Sequence, residues 1–247
     1  MIRFAGPIFV ILTVALQATN VHAQTIDLGA MFPTGNSSAA GRIVQIAAVL
    51  TILSIAPGLL VMVTSFTRFA IALSFLRSGV GLQSTPANIV LISLALFMTF
   101  FVMSPVFERS WNEGLRPLLD NEINEQEAFP RVTQPFRDFM LAQVRDKDLA
   151  MFDELAHPEL RTQTRTQTDL RVLIPAFMIS ELRRGFEIGF LVVLPFLVID
   201  MIVSTLVMSM GMMMLPPSVI ALPLKVLFFV LIDGWNLVIG SLVRSYG

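Results

Sequence analysis

Four long runs of apolar residues constrain the fold of this chain more than any other feature. They extend over residues 43–63, 89–107, 186–210 and 220–243, and each approaches the roughly 20 residues that a helix needs to cross a bilayer. Charged residues make up only 14% of the 247 residues, whereas soluble domains contain roughly 25%. The sequence therefore predicts an all-α integral membrane protein in which the four apolar helices form two hairpins.

Most of the charged residues are concentrated in residues 108–184, between the second and third apolar segments. Apolar residues recur there at spacings of three and four over residues 136–145, which indicates helix, whereas the Thr/Gln/Arg-rich residues 161–168 indicate a flexible loop. We expect five regions along the chain: a signal peptide (1–23), a polar N-terminal segment (24–42), a first apolar helical hairpin (43–107), a charged helical domain (108–184), and a second apolar hairpin with a Met-rich loop (185–247).

The first 23 residues have the pattern of a secretory signal peptide. A basic residue precedes an apolar core at residues 8–16, and Ala23 supplies the small residue expected before a cleavage site. We predict cleavage between Ala23 and Gln24. The mature N-terminus and the charged domain then lie outside, and the link carrying Arg68 and Arg77 lies inside, in agreement with the positive-inside rule.

A methionine cluster lies between the third and fourth apolar segments, at Met208, Met210, Met212, Met213 and Met214. Gly211 and the Pro216-Pro217 pair interrupt helix around it. Methionine side chains are flexible and adapt to partners of different shape, and broken backbone at membrane depth is tolerated where protein or a water-filled cavity surrounds it. The cluster is therefore either a deformable seal in a conduit or ordinary packing at a helix end.

Three ionisable residues lie well inside the last two apolar segments: Asp200, Lys225 and Asp233. Such residues usually face a bundle interior, a partner or a water-filled path. Asp200 and Lys225 are the natural ion pair, either within one subunit or across two. No cofactor or metal is predicted, because the chain has no cysteine and the mature chain would have one histidine. A net charge of -1 gives no case for nucleic acid.

Four motifs, in this order and spacing, resemble the flagellar biosynthetic protein FliP family, a core component of the type III protein export gate. They occupy residues 65–77, 94–105, 174–190 and 195–236, and include Ile174-Pro175-Ala176-Phe177-Met178 and Asp233-Gly234-Trp235-Asn236. The resemblance covers residues 42–243. One departure is Pro86-Ala87-Asn88-Ile89, where the family often has Pro-Pro-Asn-Gln.

The resemblance implies a non-enzymatic subunit of the bacterial inner membrane, multi-pass and part of the flagellar basal body, with its N-terminus and central domain periplasmic. About five copies would assemble with two smaller export-gate membrane proteins and the flagellar export switch protein into a conical, helical channel for unfolded flagellar subunits. The methionine cluster would narrow the pore. Charge pairs between adjacent subunits are implied at Arg145 with Glu181 and at Asp200 with Lys225.

Three other functions remain to be weighed. The equivalent subunit of a virulence type III secretion system is the nearest. An intramembrane aspartyl protease could use Asp200 and Asp233, although the Gly-x-Gly-Asp arrangement of those enzymes is missing. An ion-coupled transporter could use Asp200 as a proton relay, but the sequence has no convincing internal repeat of the kind such transporters use.

Overall fold

The computed structural model describes residues 39–82, 85–156, 168–211 and 216–247. Within these ranges the regular structure is helical and contains no strand, so the all-α prediction is confirmed. The predicted signal peptide, its cleavage site at Ala23 and Gln24, and Met212, Met213 and Met214 lie outside the described residues, as do residues 161–167 of the predicted loop.

Nine α-helices and one π-helical segment are found in the described ranges. They are α1 (Ala39–Val63), α2 (Phe66–Val80), α3 (Asn88–Ser110), the π-helical segment (Trp111–Leu115), α4 (Arg116–Leu119), α5 (Glu125–Gln143), α6 (Asp146–Ala156), α7 (Leu170–Ser209), α8 (Pro217–Leu231) and α9 (Gly234–Arg244). The chain divides into two compact units, Met1–Leu53 and Ser54–Gly247. In the first unit the described residues 39–53 form the N-terminal part of α1, where the Thr51 hydroxyl donates to the Ala47 carbonyl (2.8 Å).

Three stretches are long and apolar enough to cross a membrane: Ile46–Val63, Asn88–Leu119 and Leu170–Ser209. A fourth is present if α8 and α9, which are bent by 64° relative to each other, count as one span. The described chain therefore has the composition and helix lengths of a multi-pass membrane protein.

The second unit contains a helix, α2, where the apolar runs predict only a link between two segments. Helix α2 buries Phe69, Ala72, Leu73, Leu76 and Val80, and these residues belong to the largest buried apolar cluster. Their spacing of three and four gives one continuous apolar face. At 15 residues the helix is too short to qualify as a span, so a search for long apolar runs passes over it. Helix α3 packs against α2.

Helices α2 and α7 form the most extensive helix pair of the second unit. They run parallel, because later residues of α2 lie against later residues of α7. Gly185 of α7 lies against Arg68 and Ile71, and Gly189 lies against Phe75 one turn further along both helices. A Cβ atom on Gly189 would come within 2.8 Å of the Phe75 side chain. Gly185 and Gly189 therefore let the two backbones approach closely, as small residues four apart do in membrane helix pairs.

Helix α7 begins earlier than the third apolar segment. It starts at Leu170, where the Asp169 side chain accepts a hydrogen bond from the backbone N–H of Arg171 (3.1 Å), a standard N-cap arrangement. The predicted domain boundary at 184/185 thus falls inside one continuous helix of 40 residues. At 1.5 Å per residue α7 is about 60 Å long, twice the roughly 30 Å of a bilayer's hydrocarbon core.

The fourth apolar segment is not continuous, contrary to the sequence-based expectation for residues 220–243. Helix α8 ends at Leu231, and α9 starts at Gly234 after a 64° bend. Asp233 adopts the left-handed conformation (φ 51°) at the break, which Asp tolerates better than most residues. Gly234 is required there, because a Cβ atom would lie 2.2 Å from the Phe229 ring.

Helices α7 and α8 are antiparallel, as the prediction of a second hairpin requires. Val203 and Val207 of α7 form a small buried cluster with Ala221 of α8. The two described residues of the methionine cluster, Met208 and Met210, lie at the C-terminal end of α7.

Candidate functional site

Helix α7 has a well-defined C-terminal end, which lies within the methionine cluster. The backbone N–H of Met210 donates to the Leu206 carbonyl and that of Gly211 donates to the Met208 carbonyl, each at 3.1 Å. Gly211 has φ 71°, the left-handed conformation that glycine adopts after a helix C-terminus. Pro216 and Pro217 then start α8, as proline does at the first helical position.

The two methionines of the turn that the structure describes are both solvent-facing. Met208 is 68% exposed and Met210 is 69% exposed, whereas the neighbouring Val207 is buried. Packing within this chain therefore does not account for Met208 or Met210. Both side chains are available for contacts outside this chain, as are many other apolar side chains of α7.

Asp200 and Lys225 meet within one chain. The Lys225 Nζ lies 2.6 Å from the Asp200 carboxylate and also donates to the Gly79 carbonyl (3.0 Å). The ammonium therefore connects the C-terminal end of α2 with α7 and α8. The Lys225 side chain is 8% exposed and that of Asp200 is 38% exposed, and both line an open cleft of about 660 Å³.

Glu181, the third residue predicted in a charge pair, is fully buried in its own chain and pairs with Arg68 of α2. The pair of Glu181 with Arg145 was predicted between adjacent subunits and stays a prediction; within one chain the Glu181 carboxylate faces α2. The backbone N–H of Arg145 donates to the Ser180 hydroxyl (3.1 Å). Its Nη1 atom is buried and has no hydrogen-bond partner among the described residues.

Arg68 uses all five of its N–H donors. Nε and Nη2 both donate to Glu181, Nη2 also donates to Gln143, and Nη1 donates to the carbonyl and hydroxyl oxygens of Ser245. The guanidinium carbon lies 3.7 Å from the centre of the Tyr246 ring, which adds a cation–π contact. This Arg68 cluster (Arg68, Gln143, Glu181, Ser245 and Tyr246) ties α2, α5 and α7 to the C-terminal end of α9.

Tyr246 completes the cluster from the end of the chain. Its hydroxyl lies 2.5 Å from Glu181 Oε2 and 3.2 Å from the Ser65 carbonyl, and its ring packs against Phe69 and Phe139. Burial raises the pKa of the Tyr246 phenol, and the neighbouring Glu181 carboxylate raises it further. The phenol therefore stays neutral and can donate to the carboxylate.

Neither Arg68 nor Tyr246 is predicted as a site residue by the sequence. Arg68 was assigned to an inside link, so one of the two charges behind the predicted topology is in fact neutralised within the protein. The sequence does contain one relevant signal. Apolar residues are spaced by three and four from Phe69 to Val80, immediately after Arg68, and this spacing indicates that Arg68 lies on a helix with a buried face.

Asp200 and Asp233, the two aspartates that an intramembrane aspartyl protease would use, have different partners in the structure. Asp200 pairs with Lys225, whereas Asp233 lies at the α8–α9 bend, where Asn236 donates to it (3.2 Å). Asp200 contacts Lys225, which lies about 12 Å along the helical rise from Asp233, so the structure does not bring the two carboxylates together as a proton-sharing dyad requires. Among the described residues, no group of three or more acidic or histidine side chains could hold a metal ion.

Comparison with known proteins gives a consistent result. The FliP family profile matches residues 49–242. The chain is 56% identical to the flagellar biosynthetic protein FliP of Agrobacterium fabrum and 55% identical to that of Rhizobium meliloti, over the full length of both chains in each case. It is 45% identical to FliP of Bacillus subtilis over 216 residues, which cover 87% of this chain and 97% of the relative.

Proposed function

The chain belongs to the FliP family of flagellar biosynthetic proteins, and we propose that it is a pore-forming core subunit of the flagellar type III protein export gate. In this role it conducts unfolded flagellar subunits and is required for flagellum assembly. It is a membrane component of the flagellar export apparatus.

The proposal includes an assembly in the bacterial inner membrane, within the basal body. About five copies of the chain join two smaller export-gate membrane proteins and the flagellar export switch protein, with the N-terminus and the 108–184 region on the periplasmic side. Names of the relatives favour the flagellar apparatus over a virulence secretion system, because each is a flagellar biosynthetic protein.

The length and surface of α7 carry the proposal for assembly. The helix is about twice as long as the hydrocarbon core, yet large apolar side chains are exposed along most of it, from Ile179 to Met208. A bilayer covers only about half of such a helix. Apolar side chains beyond the bilayer require protein partners, since contiguous apolar surface in water marks an interaction site.

Met208 and Met210 carry the proposal for a pore. Both side chains are flexible, apolar and exposed, and three more methionines follow them in the sequence. In a ring of several chains, the methionines of each chain come together at the axis. Such a ring excludes water and ions by dewetting and yields to a passing polypeptide, because thioether chains repack readily.

The chain has no enzymatic role in this proposal. It has no Gly-x-x-x-x-Gly-Lys-[Ser/Thr] phosphate loop, so energy for export comes from other components. A transporter with Asp200 as proton relay is less well supported, because Lys225 already neutralises that carboxylate within the chain.

Native mass spectrometry of the tagged chain, extracted gently from its own membranes, tests the assembly. We expect a ring of several copies carrying two smaller membrane proteins. A stable monomer or dimer without partners would contradict the export-gate proposal and favour a transporter that functions alone.

A further inference from the structure

Helix α2, the start of α3 and the α8–α9 bend surround a small apolar pocket of about 190 Å³. Its lining includes Pro86, Val230 and Trp235, together with Arg77 from the last turn of α2. The volume lies below the roughly 300–1,000 Å³ that is typical of small-molecule sites. The pocket therefore suits a single large side chain better than a small molecule.

A second pocket, of about 270 Å³, adjoins the first at Arg77 and Leu91, which line both. Ser74 and Asn88 contribute polar groups to its lining and are exposed. An apolar pocket and a partly polar pocket thus lie next to each other at the corner between α2 and α3, with a guanidinium shared between them.

Arg77 is half-buried and has no counter-ion in the described part of the chain. Its Nη1 atom donates to the side-chain oxygen of Asn88, and its other donors have no acceptor among the described residues. Residues 43–107 contain no aspartate or glutamate. A cation on an apolar segment usually faces a partner or a water-filled path, so Arg77 is suited to a carboxylate from outside this chain.

Carboxylates of a neighbouring copy are poorly placed to serve Arg77. The acidic residues of α7 are paired within their own chain: Glu181 with Arg68, Glu187 with Arg183 and Asp200 with Lys225. The charged region begins with Glu108, which is about 30 Å from Asn88 along α3 at 1.5 Å per residue.

Asp233 is exposed and has no ion pair in the described chain, but it lies on the same surface as Arg77. Val230 and Trp235, on either side of it in the sequence, line the apolar pocket. In a ring each surface meets a different surface of the next copy, so Asp233 of one copy does not reach Arg77 of the next. These positions favour a different protein as the source of the carboxylate.

We propose that the Arg77 surface, which comprises Arg77 and the two pockets that it lines, docks a helix of a partner protein in the assembly. This helix carries a carboxylate within four residues of a large apolar side chain, a spacing that puts both on one helical face. The carboxylate pairs with Arg77 and the apolar side chain fills the pocket beside Trp235. Arginine and tryptophan are enriched at the hot spots of protein interfaces, which favours a protein over a lipid. The inference rests on the proposed function, because the partner is a component of the export gate.

Photo-crosslinking from α3 identifies the occupant while Arg77 is left intact. Ile92 lines the second pocket and is 44% exposed, so benzoylphenylalanine at this position in the assembled gate reaches whatever covers the surface. Peptide mapping should give a gate component other than this chain, linked within four residues of an aspartate or glutamate. The same probe at Leu155 of α6, which is 71% exposed, should not label that segment. A cross-link to a copy of this chain, to lipid alone or to a segment without a carboxylate would overturn the proposal.

Substitution of Arg77 tests the charge pair directly. Arg77→Gln should weaken retention of the cross-linked partner about tenfold or more in native mass spectrometry, because loss of one member of a charge pair at an interface speeds dissociation. Arg77→Glu should release the partner, and replacing the partner's carboxylate with lysine should restore it. The control Arg116→Gln removes an exposed arginine that pairs with Asp120 and should leave retention unchanged. Full retention of the partner by Arg77→Glu would contradict the pair.

The two proposals fail in different ways. A ring that keeps both smaller membrane proteins in the Arg77→Glu variant would remove only the Arg77 surface. An unsubstituted chain that forms no ring and carries no partners would remove the export-gate function, and the docking surface with it.

Discussion

Arg68 and Glu181 form an ion pair from which solvent is fully excluded, although they are 113 positions apart in the sequence. The pair joins the first turn of α2 to the N-terminal third of α7. Removing two charges from water is unfavourable, and only good geometry and further hydrogen bonds offset it. Here Gln143, Ser245 and Tyr246 supply those bonds, so the pair organises four helices around one point.

Replacing Arg68 with lysine should destabilise the chain strongly. Lysine keeps the charge but has three donors in place of five and cannot reach Glu181, Gln143 and Ser245 together. Leaving buried groups of a charged cluster unpaired lowers the free energy of unfolding by about 3–5 kcal/mol. Thermal unfolding of the detergent-extracted protein measures this loss. Arg116→Lys, at an exposed pair, should change stability by less than about 1 kcal/mol. Equal effects of the two substitutions would contradict the role of the Arg68 cluster.

The titration of Tyr246 should be visible directly, because it is the single tyrosine of the chain. Its folded-state pKa is raised above the ordinary value of 10.0 by burial and by Glu181. A raised pKa means that the stabilising contribution is fully present below about pH 10 and is lost only as pH rises further. Ultraviolet absorbance of the phenolate should therefore appear only with unfolding. Normal titration near pH 10 in folded protein would show that the phenol is not buried.

Asp200 and Lys225 should respond unequally to substitution. Asp200→Ala leaves a buried ammonium with the Gly79 carbonyl alone, whereas Lys225→Met leaves a carboxylate that is 38% exposed and can be hydrated. We expect Asp200→Ala to reduce stability and ring assembly more, measured by unfolding and native mass spectrometry.

Reversing both charges should restore assembly only in part. An aspartate at position 225 would face the Gly79 carbonyl, which accepts a hydrogen bond and repels a carboxylate. Full assembly of both single variants would remove any role of this pair in holding the ring.

The close contact of α2 with α7 predicts opposite effects for two glycines. Gly189→Ala places a Cβ atom 2.8 Å from Phe75 and should destabilise by about 1–3 kcal/mol through overpacking. Gly58→Ala, in α1, meets nothing within 4 Å and should stabilise by up to about 1 kcal/mol, because alanine favours helix. Thermal unfolding of both variants checks the prediction, and a neutral Gly189→Ala would contradict the packing.

Methionines of the turn should matter for sealing and not for stability. Replacing Met212, Met213 and Met214 with alanine should leave assembly intact, make cells leaky to ions and reduce motility; unchanged leakage would place the seal elsewhere. Met208→Ala should likewise leave unfolding unchanged, because its side chain is exposed. The matched control is Met103→Ala, whose side chain is fully buried and whose loss should cost about 2–5 kcal/mol.

Much of the fold followed from hydropathy alone, since the long apolar helices α1, α3 and α7 appear where apolar runs predicted them. Hydropathy could not identify α2, because its arginines lower the apolar content of a short segment. It also could not detect the break at Asp233, since one polar residue hardly changes the mean over a long window. Charge alone singled out Asp200 and Lys225, which meet within one chain, and a pair between adjacent subunits stays a prediction. The Arg68–Glu181 pair depends on a tertiary contact that no local pattern encodes.

The most direct test of the pore is cross-linking from the Met-rich turn to a substrate arrested during export. The chain has no cysteine, so Met210→Cys provides a unique thiol, and Met201→Cys provides an equally exposed control on the body of α7. We predict a disulfide between position 210 and a cysteine in the arrested flagellar subunit, and none from position 201. Absence of the Met210→Cys cross-link, with substrate arrested in the gate, would contradict a pore at this turn.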